Sequence, residues 1–409
     1  MKTKTLLSIS FYVLVLVSYA QVKNTKSVTV PVSLDHNRML VDAEMQKKDG
    51  TWRKVRLWID SGSPDFFISE SLARDIGIDL SASEDTAFKS ANLEIAEPPG
   101  LRVGGMELKL DEVRSVVKFQ PYWLFSTMHS DGNLPSTLLR KYHIIFDYPN
   151  QQLTIAEHGS KIPQGKASPA SIHPQTGIVQ LDAKINGVSY SFALDMGASY
   201  SFISEGILEN ILTHQPGLTK MTGTLGCANM WGWWPANEQQ FTVVRVPEFQ
   251  WGNETFVNTG IVGVPDFSPA GPTLGEWYSR KTARPVDGFL GANLLKNYRI
   301  EIDYLNSLVY FEKGAETDAP EMDMVGLSVR QLPDNSYQVV GVAEKNGRPS
   351  VEGVEPGDII IAIDGYLMKG QTMGNVVDKL RGTPGEKRAL LLEREGRQFV
   401  VEAVVEHFL

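Results

Sequence analysis

Two aspartates, Asp60 and Asp195, occupy the same point of a segment that the chain carries twice. Asp60-Ser61-Gly62-Ser63 precedes Phe67-Ile68-Ser69-Glu70, and Asp195-Met196-Gly197-Ala198 precedes Phe202-Ile203-Ser204-Glu205, at a constant offset of 135 residues (195 − 60). Further on, Asp131-Gly132, Leu138-Leu139-Arg140, Tyr142, Asp147-Tyr148 and Asn150 recur as Asp287-Gly288, Leu294-Leu295-Lys296, Tyr298, Asp303-Tyr304 and Asn306. There the offset is 156 (287 − 131), so the second copy holds an insertion of 21 residues (156 − 135). An apolar stretch runs into each Asp-x-Gly, and glycine permits the tight turn that lets two such loops approach backbone to backbone. A carboxylate from each copy then lies beside the other. Like charges that close cannot both ionise, so one takes up a proton. The charged member can take a proton from a water while the neutral member polarises a carbonyl and later protonates a leaving amine. That chemistry needs no metal, no cofactor and no covalent intermediate.

These motifs are similar to those of retropepsin-type aspartic peptidases, the single-lobe relatives of pepsin. The resemblance covers nearly everything from Val28 to Lys313 and implies two fused β-barrel lobes packed as a pseudo-dimer, with polypeptide substrates in the cleft between them. It makes Asp60 and Asp195 the catalytic pair and Gly62 and Gly197 the glycines of their loops. It assigns support of the catalytic loop to Ser61 and to Phe289-Leu290-Gly291, the apolar-apolar-glycine element. The chain departs from the family at two places. Asn133-Leu134-Pro135 stands in copy one where copy two has Phe289-Leu290-Gly291, and Met196 stands where the family has a hydroxyl. A thioether accepts weakly and cannot donate, so half of the cross-brace between the loops should be missing. An inactive pseudo-peptidase that binds peptides without cutting them is therefore the rival expectation.

The elements that must position the pair are short and alternating. Val28–Val32, Val55–Ile59, Ile144–Phe146 and Leu153–Ile155 read as strands, with turns at Gly, Pro and Asn. Helix signals are few: Ser69 to Ile76, stopped by Gly77, and Ser136 to Leu139. Lobe boundaries are expected at 28–158 and 172–314. Gly159 to Pro169 and Gly314 to Pro320 have linker composition. The flap-like loops are expected at Ala91 to Gly100 and Thr222 to Cys227. The insertion brings Trp231, Trp233 and Trp234 into one Gly/Pro-punctuated loop, which could cover the cleft or pack on its own aromatics.

Beyond residue 325 the texture changes. Pro356-Gly357-Asp358-Ile359-Ile360 and Ile363-Asp364-Gly365 resemble the signature of a PDZ domain, a small α+β unit expected at 325–409. The resemblance implies that Gly326-Leu327-Ser328-Val329 forms the carboxylate-binding loop and peptide-receiving strand. Met373, Val376, Val377 and Leu380, at helical spacing, would line the side-chain pocket. Such a domain binds peptide C-termini by strand addition, backbone N–H groups holding the terminal carboxylate.

Composition narrows the setting. With 409 residues, 42% hydrophobic and 21% charged, the chain can build two or three cores. A formal charge of −9 without a basic cluster argues against nucleic-acid partners. Lys2 and Lys4, the apolar Leu6 to Val17 and Ser18-Tyr19-Ala20 read as a secretory signal over residues 1–20, cleaved near Ala20. The mature protein is then expected to be secreted or periplasmic, with no membrane span. Cys227 is the only cysteine, which excludes internal disulfides and a Cys-based metal cage. Asn253-Glu254-Thr255 is a formal glycosylation sequon, one triplet that chance readily supplies. No Gly-x-Ser-x-Gly elbow, His-Glu-x-x-His, P-loop or dinucleotide fingerprint is present.

Overall fold

The alternating stretches become strands, and the chain is mainly β. The computed structural model describes residues 26–35, 37–78, 93–96, 99–113, 115–118, 128, 130–218, 220–223, 241–252, 254–264, 274–314, 323–332 and 334–408. The expected signal segment, Asn253, Cys227, the three tryptophans of the insertion and most of the flap-like loop expected at Thr222 to Cys227 lie outside these residues, whereas the loop expected at Ala91 to Gly100 contains the strand Leu93–Ala96.

In copy one, strands Arg38–Gln46 and Trp52–Asp60 form an antiparallel pair that delivers Asp60 at its end. Strand Gly132–Pro135 then lies parallel to the last residues before the aspartate, Leu57 opposite Gly132 and Asp60 opposite Pro135. Copy two repeats this with Val188–Leu194 and Gly288–Leu290, Leu194 opposite Leu290. The crossing of these strands is tight. A Cβ on Gly132 would lie 2.2 Å from the Phe67 carbonyl oxygen, and one on Gly288 would lie 2.2 Å from that of Phe202. Only glycine fits at both equivalent places. Helix Glu70–Ile76 forms where expected, with the Ser69 side chain capping the Leu72 N–H and Gly77 ending it. It buries Leu72, Ala73 and Ile76 against the strands.

Six antiparallel strands drawn from both copies run in the order Lys166–Pro169, Leu308–Lys313, Tyr298–Asp303, His143–Asp147, Gln152–Ala156 and Ser27–Asp35. The central pairing sets Ile144 opposite Ile302, Ile145 opposite Glu301 and Phe146 opposite Ile300. Ile145 and Glu301 are equivalents at the offset of 156, so each copy meets the other at its own matching residue. An antiparallel pair with that register is locally two-fold. Ile144, Phe146, Ile300 and Ile302 are fully buried in one apolar core shared by both copies. Burying each such side chain stabilises by about 1.5–3 kcal/mol. The segment with linker composition is in part a strand: Lys166–Pro169 pairs with Leu308–Phe311. Pairing with a distant strand overrides a Ser/Pro-rich composition that, read locally, speaks for a loop.

The opposite face of this sheet carries a buried ion cluster that pattern reading passes over. His143 Nε2 bonds Glu301 Oε1, while Arg299 sits 2.8 Å from Glu301 Oε2 and the Gln164 N–H donates to that oxygen at 3.2 Å. Glu301 is wholly buried. Burial pushes its carboxyl up, but the hydrogen bonds from His143 and Arg299 outweigh it and hold the group below its ordinary value.

The C-terminal sheet has the order Asp323–Val325, Arg397–His407, Lys387–Arg394, Ile359–Ile363, Tyr337–Val342, Leu327–Gln331. Helix Met373–Leu380 starts at Thr372, whose hydroxyl accepts the Asn375 N–H. Asp358, buried, receives two bonds from Arg394 at 2.6 and 2.8 Å and the Glu355 N–H at 2.9 Å, which fixes the turn into Ile359–Ile363. This unit joins copy two through backbone pairing: Glu344–Lys345 pairs with Lys220–Thr222. The Arg245 guanidinium adds a bond to the Phe408 carbonyl at 3.2 Å. A second apolar core runs continuously from Phe202 and Phe289 of copy two into Leu327, Val376 and Leu380. Among the described residues no helix is long and apolar enough to cross a membrane.

Candidate active site

The two Asp-x-Gly turns meet head to head. A Cβ on Gly62 would lie 2.5 Å from the Cγ and Oδ2 of Asp195. A Cβ on Gly197 would lie 3.0 Å from Asp60 Oδ1 and 3.1 Å from Asp195 Oδ1, which bounds the separation of those two oxygens by the sum of the two distances. Each glycine thus faces the aspartate of the other copy; a side chain at Gly62 would occupy the space of the Asp195 carboxylate, and one at Gly197 would crowd that of Asp60. The Gly62 N–H donates across to Asp195 Oδ1 at 3.3 Å, and the Gly197 N–H donates to the same oxygen at 2.8 Å.

Ser61 ties the loops together. Its hydroxyl accepts the Met196 N–H at 3.0 Å and donates to the Leu194 carbonyl at 2.9 Å. The reciprocal half is apolar: Met196 is fully buried, with its sulfur 3.3 Å from Ser61 Oγ. Behind Asp195, the Leu290 carbonyl accepts the Asp195 N–H at 2.9 Å, and the Gly291 N–H donates to Ser201 Oγ at 3.0 Å. Phe289 stacks on Phe202 with ring centroids 4.8 Å apart. A Cβ on Gly291 would lie 2.2 Å from the Tyr200 carbonyl, so the element Phe289-Leu290-Gly291 packs directly on the turn that follows Asp195.

Copy one departs at the same point. Asn133, at the position of Phe289, is fully buried and donates from Nδ2 to Asp60 Oδ2 at 2.9 Å. Sequence reading treats Asn133 only as a departure from an apolar pattern; a polar residue in an otherwise apolar slot was the available signal. The other duplicated acids serve the scaffold. Asp131 and Asp287 accept the N–H groups of Arg56 and Ser191 at 2.9 and 2.7 Å. Asp147 and Asp303 cap turns through Asn150 and Asn306.

Burial, and after it the charge of Asp60, push the Asp195 carboxyl from its ordinary 3.8 up to about 8, although the N–H groups of Gly197, Gly62 and Ala198 pull the other way. Tyr148 has a buried hydroxyl with no partner among the described residues. Burial, then the charge of Asp195, push that phenol far up. A carboxylate near a carboxylic acid can activate water and donate a proton at the same time. Among the described residues no group of three or more His, Cys, Asp or Glu side chains is placed to hold a metal ion.

Of the residues expected to receive a peptide C-terminus, Leu327, Ser328 and Val329 lie on strand Leu327–Gln331, which ends its sheet and pairs with Tyr337–Val342. Gly326 precedes it, and its carbonyl accepts the Ala343 N–H at 2.8 Å. Val376, Val377 and Leu380 are buried in the same apolar core as Leu327 and Val329, and Met373 is half-buried.

No family model matches the chain, and no curated protein matches it. Among solved structures it is similar to a photosystem II D1 C-terminal processing protease at 22% identity and a TM-score of 0.20. The alignment covers 22% of this chain and 25% of that one, so it spans about a quarter of that protein's length and carries no functional inference.

Proposed function

We propose that this chain is an aspartic-type endopeptidase whose Asp60 and Asp195 act as one acid/base pair on a single water. The observation that supports the reading best is the reciprocal approach of Gly62 to Asp195 and of Gly197 to Asp60. In this reading the ionised carboxylate takes a proton from the water, whose oxygen attacks the peptide carbonyl carbon. The protonated carboxyl gives its proton to the carbonyl oxygen, forming a neutral tetrahedral diol. As the C–N bond breaks, the proton held by the first aspartate passes to the leaving nitrogen and a diol hydroxyl returns its proton to the second. The pair ends as it began.

The C-terminal unit, in the same proposal, is a PDZ domain that captures peptide C-termini along Leu327–Gln331 and so brings substrates to the cleft. The 1–20 segment directs the chain to a secreted or periplasmic location. The proposed lobes, 28–158 and 172–314, act as one unit on the shared six-stranded sheet, followed by the 325–409 domain.

Met196 favours a second reading, an inactive peptide-binding relative, because its thioether removes half of the cross-brace. Purified protein incubated with unfolded polypeptide from acidic to neutral pH, beside Asp60→Asn and Asp195→Asn, separates the two. Cleavage lost in both variants is expected. Equal cleavage by all three proteins removes the dyad, and no cleavage at any pH favours the binding protein. For the C-terminal unit, calorimetric titration with a peptide bearing a free carboxylate should show binding that the C-terminally amidated peptide lacks.

A further inference from the structure

We infer that Asn133 is a positioning residue for Asp60: its amide holds one carboxylate oxygen, keeps Asp60 ionised into the acidic range and leaves Oδ1 as the oxygen that faces Asp195. The inference rests on the dyad proposed above and deepens it. Four observations support it. The Phe67 N–H donates to Asn133 Oδ1 at 2.6 Å, and the Asp65 carbonyl accepts from Nδ2 at 3.0 Å. Both partners are backbone groups of fixed type, so the amide cannot be flipped without setting donor against donor and acceptor against acceptor. The remaining Nδ2 hydrogen therefore points at Asp60 Oδ2, 2.9 Å away. Asn133 is wholly buried, and its strand is held in register with Trp58 opposite, so the amide is fixed in place beside Asp60.

An N–H donor binds a carboxylate more strongly than a carboxylic acid, and the difference lowers the pH at which the acid forms. It also occupies Oδ2, so any proton that Asp60 does carry resides on Oδ1, beside the partner. Copy two has no such device. Phe289 stands at the matching position and cannot donate, and Asp195 is instead held by the N–H groups of Gly62 and Gly197 on its Oδ1. Asp60 thus receives a side-chain donor from the neighbouring strand at the position where copy two has Phe289. The titratable groups around the pair are Asp195 on the opposing turn and Tyr148, and Asp65 presents its carbonyl to Asn133.

The test is a pH titration of the intact protein labelled with carboxyl-¹³C aspartate, beside the pH profile of kcat/KM. Asn133→Leu keeps the number and branching of the side-chain heavy atoms and removes the donor. Asn133→Ala removes the donor without adding a charge and serves if the leucine variant does not fold. In either variant the lowest Asp60 midpoint, and with it the acidic limb of kcat/KM, should rise by about one pH unit. An Asp60 midpoint unmoved in a folded variant overturns the inference, since a merely structural amide would change stability and not this titration. Asp195→Asn in the same spectra tests the dyad separately. If that change leaves the Asp60 midpoint where it was, the pair is uncoupled and the dyad fails whatever Asn133 does.

Discussion

Asp195→Asn should make the protein more stable at neutral pH while abolishing its chemistry. The folded carboxyl ionises near 8, far above the 3.8 of an unfolded aspartate, because burial and the charge of Asp60 oppose its anion. Between those values the native state holds a proton that the unfolded chain has released. The slope of stability against pH is then negative, and the contribution of this proton, complete below pH 3.8, has been lost once pH passes 8. One proton difference is worth about 1.4 kcal/mol per pH unit, so from pH 5 to pH 7 the wild-type protein should lose about 3 kcal/mol that the asparagine variant keeps. The asparagine is nearly isosteric, and its Oδ1 can still accept from Gly62 and Gly197, so little packing changes. Urea unfolding of both proteins at half-unit steps from pH 5 to pH 8 reads the difference directly. The gap between the two should widen steadily with pH in favour of the variant. A gap that is constant across the range, or that widens in favour of the wild type, would refute the claim that Asp195 is held protonated.

Three further outcomes follow from the same geometry. Gly62→Ala places a methyl carbon 2.5 Å from Asp195 Cγ, so cleavage should fall at least about a hundred-fold with the circular dichroism spectrum retained; near-normal kcat/KM would contradict the close approach. Ser61→Ala leaves the Met196 N–H and the Leu194 carbonyl unpaired inside the protein, at a cost of about 2 kcal/mol by urea unfolding; a change under about 0.5 kcal/mol would show the brace to be dispensable. Glu301→Gln leaves Arg299 facing a neutral buried partner and should cost about 3 kcal/mol at pH 7, with a smaller cost in acid. The Glu301 contribution is complete above the unfolded carboxyl value and fades as pH falls through the lower folded one, so the two proteins should converge at low pH.

Much of this arrangement is legible in one dimension, because strands, caps and tight turns are local. Alternation in Val55–Ile59 sets a strand, Ser69 and Gly77 bound a helix, and one constant offset sets the same acid at the end of two matching strands. Glycines at Gly62, Gly197, Gly132 and Gly288 are readable as places where backbone comes close, though not as to what. Contact across the chain is not local, and there the sequence falls silent. Lys166–Pro169 has the composition of a loop and becomes a strand only because Leu308–Phe311 offers its edge. His143, Arg299 and Glu301 look like ordinary surface charges until the central register drives Glu301 into the interior, where one carboxylate is stable only with both partners. The amide of Asn133 looks like a lapse in an apolar motif. It becomes a bond to Asp60 because the strand crossing turns that one side chain toward the carboxylate and seals it from water. Sequence thus determined which residues carry charge and where the chain turns. The fold alone decided which charges meet, since long-range pairing sets distance and burial together, and those two quantities govern whether an acid keeps its proton.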